Sequence, residues 1–173
     1  MKKLFIPDRM FDDFTLVTAD FLEAMNIAAL ICDIDNTLAT YDDPDPPDGV
    51  IAWCGAMNAR GIKIAFVSNN NAERVERFNK SFGYPAYHDS KKPSRKKLIA
   101  AMDDMNTTRA NTAFLGDQIL TDVLAAKRAG LYAIVVKPIK DKTSLFFKIK
   151  RLIEVPFINE YKRTHKDDEN YCN

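Results

Sequence analysis

Ala28–Leu38 reads AALICDIDNTL, and the rest of the chain is best understood outward from it. The first half is a continuous apolar run, the pattern of a strand covered on both faces. Two aspartates one residue apart, Asp33 and Asp35, close the run. In an extended chain the side chains at i and i+2 point to the same side. Both carboxylates can therefore face one small volume, and Thr37 continues the alternation. Carboxylates this close raise each other's pKa. A chain tolerates that if a cation separates them or if one of them carries a proton for chemistry. Phosphoryl transfer through an aspartyl phosphate uses both.

Apolar runs at Ile62–Val67, Thr112–Leu115 and Tyr132–Val136 predict strands beside Leu30–Ile34, with a short one at Tyr84–Tyr87. Helix-like stretches separate them, at about Gly49–Arg60, Ala72–Phe82, Ser94–Met105 and Thr121–Ala129. Gly61, Gly83 and Gly130 each stand where a helix C-cap is expected. Thr18–Asn26 reads as a short helix before the first strand, and Ser144–Glu154 as a helix after the last. This alternation predicts an α/β fold, a three-layer Rossmann-like and mainly parallel sheet with helices on both faces. Residues 1–173 read as one domain with its core at about 27–137. The extensions at 1–26 and 138–173 then pack on the core or contact a membrane surface.

The chain has 173 residues, 46% hydrophobic and 28% charged, as folded proteins do. A net charge of +1 gives no global field toward nucleic acid. Cys32, Cys54 and Cys172 are widely spaced, with no CxxC, which argues against a disulfide framework or zinc site. That usage fits a reducing compartment, so the expected location is cytoplasmic. The N-terminus MKKLFIPDRMFDDF has no signal-like apolar stretch, and no run approaches the roughly 18 apolar residues of a membrane span. Leu145, Phe146, Ile149, Leu152 and Ile153 have helical spacing, with Lys148, Lys150 and Arg151 interleaved. Such a stripe more commonly seals a sheet face; the alternative is a basic amphipathic helix lying peripherally on an anionic membrane. The apolar residues Leu4, Phe5, Ile6, Met10, Phe11 and Phe14 raise the same question with less order.

Four elements fall at strand ends or helix starts. They are Asp33–Thr37; Ser68 followed by Asn69; Lys91-Lys92-Pro93; and Gly116-Asp117 with Asp122 beyond. In an open parallel sheet the carboxyl ends of the strands form the ligand crevice, so the four can converge. Their chemistry is mutually consistent. Asp33 is expected to attack phosphorus. Asp35 is expected to protonate the leaving alkoxide and then activate water. Asp33, Asp35 and Asp117 are candidate ligands of a magnesium ion. Ser68, Asn69 and Thr37 are candidates to hold phosphate oxygens. Lys92 is expected to neutralise transition-state charge, with Pro93 at the first position of a helix. Asp122 is expected beside the metal or Lys92. Taken singly, each has an ordinary reading: Ser68 as a turn residue, Lys91 and Lys92 as a solvated pair, Asp122 as a carboxylate in a first helical turn. The ordered set is far more specific than its parts. His88 and His165 do not build a Ser–His–Asp triad, and neither GxxxxGK[ST] nor GxGxxG occurs.

DIDNTL, VSNN, KKP and GDQILTD together resemble the haloacid dehalogenase-like (HAD) superfamily, in particular its small subclass IIIA phosphatases of the YqeG type. The resemblance covers about Ile27 to Val136. It implies Asp33 as nucleophile, Asp35 as acid–base, Ser68 as phosphate ligand, Lys92 as charge stabiliser and Asp117 as metal ligand, with Mg2+ as cofactor. Lys91 could replace Lys92, but the family's lysine directly precedes the proline. Members often insert a cap domain; the gaps Asp35–Ser68 and Ser68–Lys92 hold none. An uncapped site suits a phosphate carried on something large, such as a lipid head group, a protein or a nucleic acid, or one covered by a partner subunit. Relatives include phosphatidylglycerophosphate phosphatases, which makes that lipid the expected substrate. Phosphatases of other exposed phosphates, sugar phosphates included, remain alternatives. So does a non-enzymatic module, either receiver-like or for assembly. Asp35 discriminates, since a long-lived phosphoaspartate is incompatible with a well-placed acid–base two residues away.

Overall fold

The computed structural model describes residues 2–140 and 145–165. Six strands, β1 (Arg9–Phe11), β2 (Ala29–Cys32), β3 (Lys63–Val67), β4 (Ala86–Tyr87), β5 (Thr112–Gly116) and β6 (Tyr132–Val136), form one sheet. Their order is β1-β6-β5-β2-β3-β4, and every neighbouring pair is parallel. The helices are α1 (Ala19–Ala24), α2 (Asp48–Ala59), α3 (Ala72–Asn79), α4 (Lys96–Asp104), α5 (Leu124–Ala129) and α6 (Leu145–Thr164).

The period of two along each strand divides the interior between two faces. Leu30, Cys32, Ile64, Phe66, Ala113, Leu115, Ile134 and Val136 meet α1, α2 and α3 through Leu22, Trp53, Met57, Val75 and Phe78. Ala29, Ile31, Ala65, Val67, Phe114, Ala133 and Val135 meet α4, α5 and α6 through Leu98, Met102, Ala125, Ala129 and Tyr161. The predicted three-layer α/β sandwich is therefore the one observed. Only α2 and β3 separate Asp35 from Ser68, and only α3 and β4 separate Ser68 from Lys92, so no cap stands among the described residues.

Local signals explain the boundaries. Thr18 Oγ1 accepts the Phe21 N–H at 3.2 Å and opens α1. Gly130 closes α5 at φ 79°, a left-handed position that suits glycine. Three details depart from expectation. β1, an edge strand, comes from the N-terminal extension, whose short apolar run carries no period strong enough to mark it. α6 runs ten residues past Glu154 to Thr164, with Pro156 inside it. The helix after Lys92-Pro93 starts only at Lys96, because Lys91–Ser94 forms a turn in which the Ser94 N–H donates to the Lys91 carbonyl at 2.9 Å. Pro93 is thus a loop residue, joined to Lys92 by a cis peptide. Ser144, the residues beyond His165 with Cys172, and the side chains of Leu145, Phe146, Lys148, Ile149, Lys150 and Arg151 lie outside the described residues. No helix among the described residues is long and apolar enough to cross a membrane.

Candidate active site

Strand order reverses between β2 and β5, since one half of the sheet runs out through β3 and the other through β6. The carboxyl ends of such a pair border a natural crevice. Asp33 follows β2 and Asp117 follows β5. The crevice is a cavity of about 230 Å³ lined by Asp33, Asp35, Tyr41, Ser68, Asn69, Asn70, Lys92, Gln118, Thr121 and Asp122.

Both aspartates of the DxD pair reach this cavity although the strand ends at Cys32. Asp33 N–H still donates to the Leu115 carbonyl at 2.8 Å, and Asp35 bridges to Ala39. Each has its own cation. Lys92 Nζ lies 2.7 Å from Asp33 Oδ1 and 2.8 Å from Asp122 Oδ1. Arg74 Nε donates to Asp35 Oδ1 at 3.1 Å, and Asn70 Nδ2 and Ser68 Oγ donate to Asp35 Oδ2 at 3.0 and 3.4 Å. Burial pushes the Asp33 carboxyl up to about 7; Lys92 pulls it back, while Asp122 and Asp35 push it further. Burial works against the charge of Lys92, but Asp122 and Asp33 outweigh it and hold the ammonium above its ordinary value. Asp33, Asp117 and Asp122 are all buried, with ligand oxygens within 4.8 Å of one another. Three hard oxygen donors this close together fit a divalent cation. The carboxylate of Asp35, also expected at the metal, faces Ser68, Asn70 and Arg74.

The remaining expected residues fall into two groups. Ser68 sits at the end of β3, where its hydroxyl accepts the Asn70 N–H at 3.0 Å and lines the cavity. Asn69 lines it too, but its side chain grips the Lys92 backbone, accepting its N–H at 2.7 Å and donating to its carbonyl at 3.4 Å. Thr37 is placed differently. Ile34–Leu38 is a turn, not a strand, so the alternation that put Thr37 with the aspartates breaks. Its N–H donates to Ile34 at 3.3 Å, and its buried Oγ1 meets no hydrogen-bond partner.

Several site residues escaped the sequence reading. Asn71 Oδ1 accepts the Arg74 N–H at 3.0 Å and starts α3 there, which brings Arg74 to Asp35. Arg74 also donates to the carbonyls of Thr40, Asp43 and Pro44. Arg77 pairs with Asp45 and Lys140 with Asp42. The acidic loop 41–47 is therefore a pinned wall of the site, with Tyr41 at its mouth. Burial, together with Asp35, Asp33 and Asp117, raises the Tyr41 phenol above its ordinary pKa. Asn36, at φ 71°, donates through Nδ2 to the Lys140 carbonyl at 2.8 Å and to Asp117 Oδ2 at 3.5 Å. A run of asparagines after a strand was the signal available for Asn70, whereas Arg74, inside a charged helix, offered none.

Residues 8–130 match a family described as hydrolase, haloacid dehalogenase-like hydrolase. The chain is 33% identical over 163 residues to "Probable phosphatase YqeG" of Bacillus subtilis (strain 168), an overlap of 94% of this chain and 95% of that protein. Its fold is similar to that of the cobalt-bound deoxy-D-mannose-octulosonate 8-phosphate phosphatase (YrbI) from Haemophilus influenzae. The TM-score there is 0.51 at 16% identity, over 79% of this chain and 90% of that one. The structure of a "putative HAD superfamily (subfamily III A) hydrolase" from Legionella pneumophila gives 0.52 at 18% identity, over 82% and 89%.

Proposed function

This chain belongs to the haloacid dehalogenase-like hydrolases and is a phosphatase of that family, and on that premise we propose that it cleaves phosphomonoesters through an aspartyl phosphate on Asp33. The observation that carries this reading is the division of labour between two adjacent carboxylates, one paired with Lys92 and the other held by Ser68, Asn70 and Arg74. An oxygen of Asp33 attacks phosphorus, and the bond from phosphorus to the leaving oxygen breaks. Asp35 gives its proton to that oxygen. Asp35, now anionic, takes a proton from water, whose oxygen attacks the same phosphorus. The acyl–phosphate bond opens, which restores the Asp33 carboxylate and frees inorganic phosphate. Ser68 Oγ holds a phosphate oxygen, and Lys92 stabilises the charge that grows on the transferring group. Asn69 serves by fixing the backbone of Lys92. Asp33 and Asp117, with Asp122 beside them, would hold magnesium. The ion, when bound, would offset the repulsion between carboxylates and phosphate.

For the substrate we propose a phosphate on a large carrier, with phosphatidylglycerophosphate as the specific candidate. The absence of a cap among the described residues supports the first part; the second is supported by the resemblance to a group of phosphatases whose relatives include phosphatidylglycerophosphate phosphatases. The chain works as a single domain in this reading, since the N-terminal strand and the C-terminal helix both pack on the core. A magnesium-dependent assay over lipid, sugar, nucleotide and protein phosphates tests it. Asp33→Asn should abolish turnover of any substrate found, and Asp35→Asn should lower it by about 10²–10⁴-fold, both with folding intact. Full activity in Asp33→Asn defeats the assignment. A stable phosphoprotein without multiple turnover would instead mark a receiver-like module.

A further inference from the structure

The face that α6 turns inward carries a carboxylate where an apolar residue is expected. Glu154, Phe157, Ile158 and Tyr161 stand at i, i+3, i+4 and i+7, the spacing of one helical stripe. Phe157 stacks on Phe5 with ring centroids 4.9 Å apart, and the Tyr161 hydroxyl accepts the Met10 N–H at 3.1 Å. Glu154 heads this stripe at 1% exposure, while its neighbours Leu152, Ile153 and Val155 are 71%, 50% and 44% exposed. The helix thus buries an acid and leaves three apolar side chains toward solvent. A buried carboxylate is costly unless hydrogen bonds replace its water.

Those bonds come from the segment that builds the acidic cluster. Glu154 Oε1 accepts the Ile119 N–H at 2.8 Å and the Leu120 N–H at 3.1 Å. Ile119 opens a π-helical turn, Ile119–Val123, that continues into α5. The first amides of a helical segment lack partners within it and carry partial positive charge. The side chain of Gln118, at the head of the turn, makes no capping bond. Asp122 Oδ2 takes the Gln118 N–H at 3.1 Å, and Asp122 Oδ1 faces Lys92 at 2.8 Å. The donors at this end are therefore divided between a carboxylate of the site and one supplied from 35 residues along the chain.

We propose that Glu154 is a positioning residue for the acidic cluster, an N-cap delivered by the C-terminal helix that holds the turn between Asp117 and Asp122. By taking Ile119 and Leu120, Glu154 leaves Asp122 to Lys92 and to the place beside Asp33 and Asp117 where a cation would sit. This inference rests on the phosphatase reading for its catalytic consequence, but not for its structural one.

The test uses the full-length protein with Glu154→Ala and Glu154→Gln. Mg2+ alone is titrated by calorimetry, amide exchange is read at Ile119 and Leu120, and kcat and KM are measured on the best substrate found. Glu154→Ala should bind Mg2+ about 10-fold more weakly and lower kcat by a similar factor with KM nearly unchanged. Exchange at Ile119 and Leu120 should quicken while β2 and β5 stay protected. Glu154→Gln, which keeps the size and one acceptor oxygen, should fall between. If Glu154→Ala fails to fold, Glu154→Gln carries the same readouts. A folded variant with wild-type Mg2+ affinity overturns the proposal, even if its melting temperature has dropped, because that would be a merely structural role. If the wild type binds Mg2+ but hydrolyses no phosphomonoester, the phosphatase reading fails, while the exchange and titration data still judge Glu154.

Discussion

At the scale of single residues, the site works against its own stability. Asp33 is held in the folded protein with a pKa of about 7, against an ordinary 3.8. Between those values the native state binds more protons than the unfolded chain. The contribution of this group to stability therefore falls as pH rises through that window. Asp33→Asn removes the effect. In thermal melts with chelator, the variant should gain on the wild type steadily from about pH 4 to about pH 7, and Mg2+ should narrow the gap by stabilising the charged form. Parallel pH profiles would contradict this. Gly116 makes a different kind of demand. A Cβ there would stand 2.5 Å from Asp122 Cβ and 2.6 Å from its carboxylate. The glycine is needed for close approach, not for a positive φ. Gly116→Ala should leave the protein folded at a cost of about 1–3 kcal/mol, while displacing Asp122 enough to lower kcat about 10²-fold. Denaturant melts and steady-state kinetics on one preparation separate the two effects.

At the scale of elements, the site is held by segments that reach across the chain. The π-helical turn Ile119–Val123 sets Asp122 over Gly116 and exposes its first amides to Glu154. Turns of this kind recur at functional sites. α3 contributes Arg74, which ties Asp35 to the loop of Thr40, Asp43 and Pro44. The DxD, Ser68 and GD elements were legible because each marks a strand end, and Lys92 because it sits in a local Lys-Pro pattern. Arg74 and Glu154 were not. One lies inside a charged helix and the other inside an amphipathic one, where an acid or arginine ordinarily faces water.

At the scale of the whole molecule, the site opens at the carboxyl ends of the central strands with no cap among the described residues, and α6 presents Leu152, Ile153 and Val155 outward. If the substrate is a lipid, these side chains are suited to contact the bilayer that carries it. Anionic vesicles should then bind the protein and raise turnover, and a triple serine substitution at these positions should weaken both severalfold in sedimentation and activity assays. Equal binding by wild type and variant would remove α6 from membrane contact. The alternation of apolar runs, the glycines after helices and the ordered acidic motifs determined the α/β class and pointed to Asp33, Asp35, Ser68 and Lys92, which line the cavity. They could do so because strand period, caps and motif spacing are local properties of the chain. Which way α6 is rotated, where β1 joins the sheet, and which cation serves which aspartate were decided by tertiary structure. Those choices depend on partners far apart in sequence, such as Glu154 and Ile119 or Arg74 and Asp35, which no local pattern encodes.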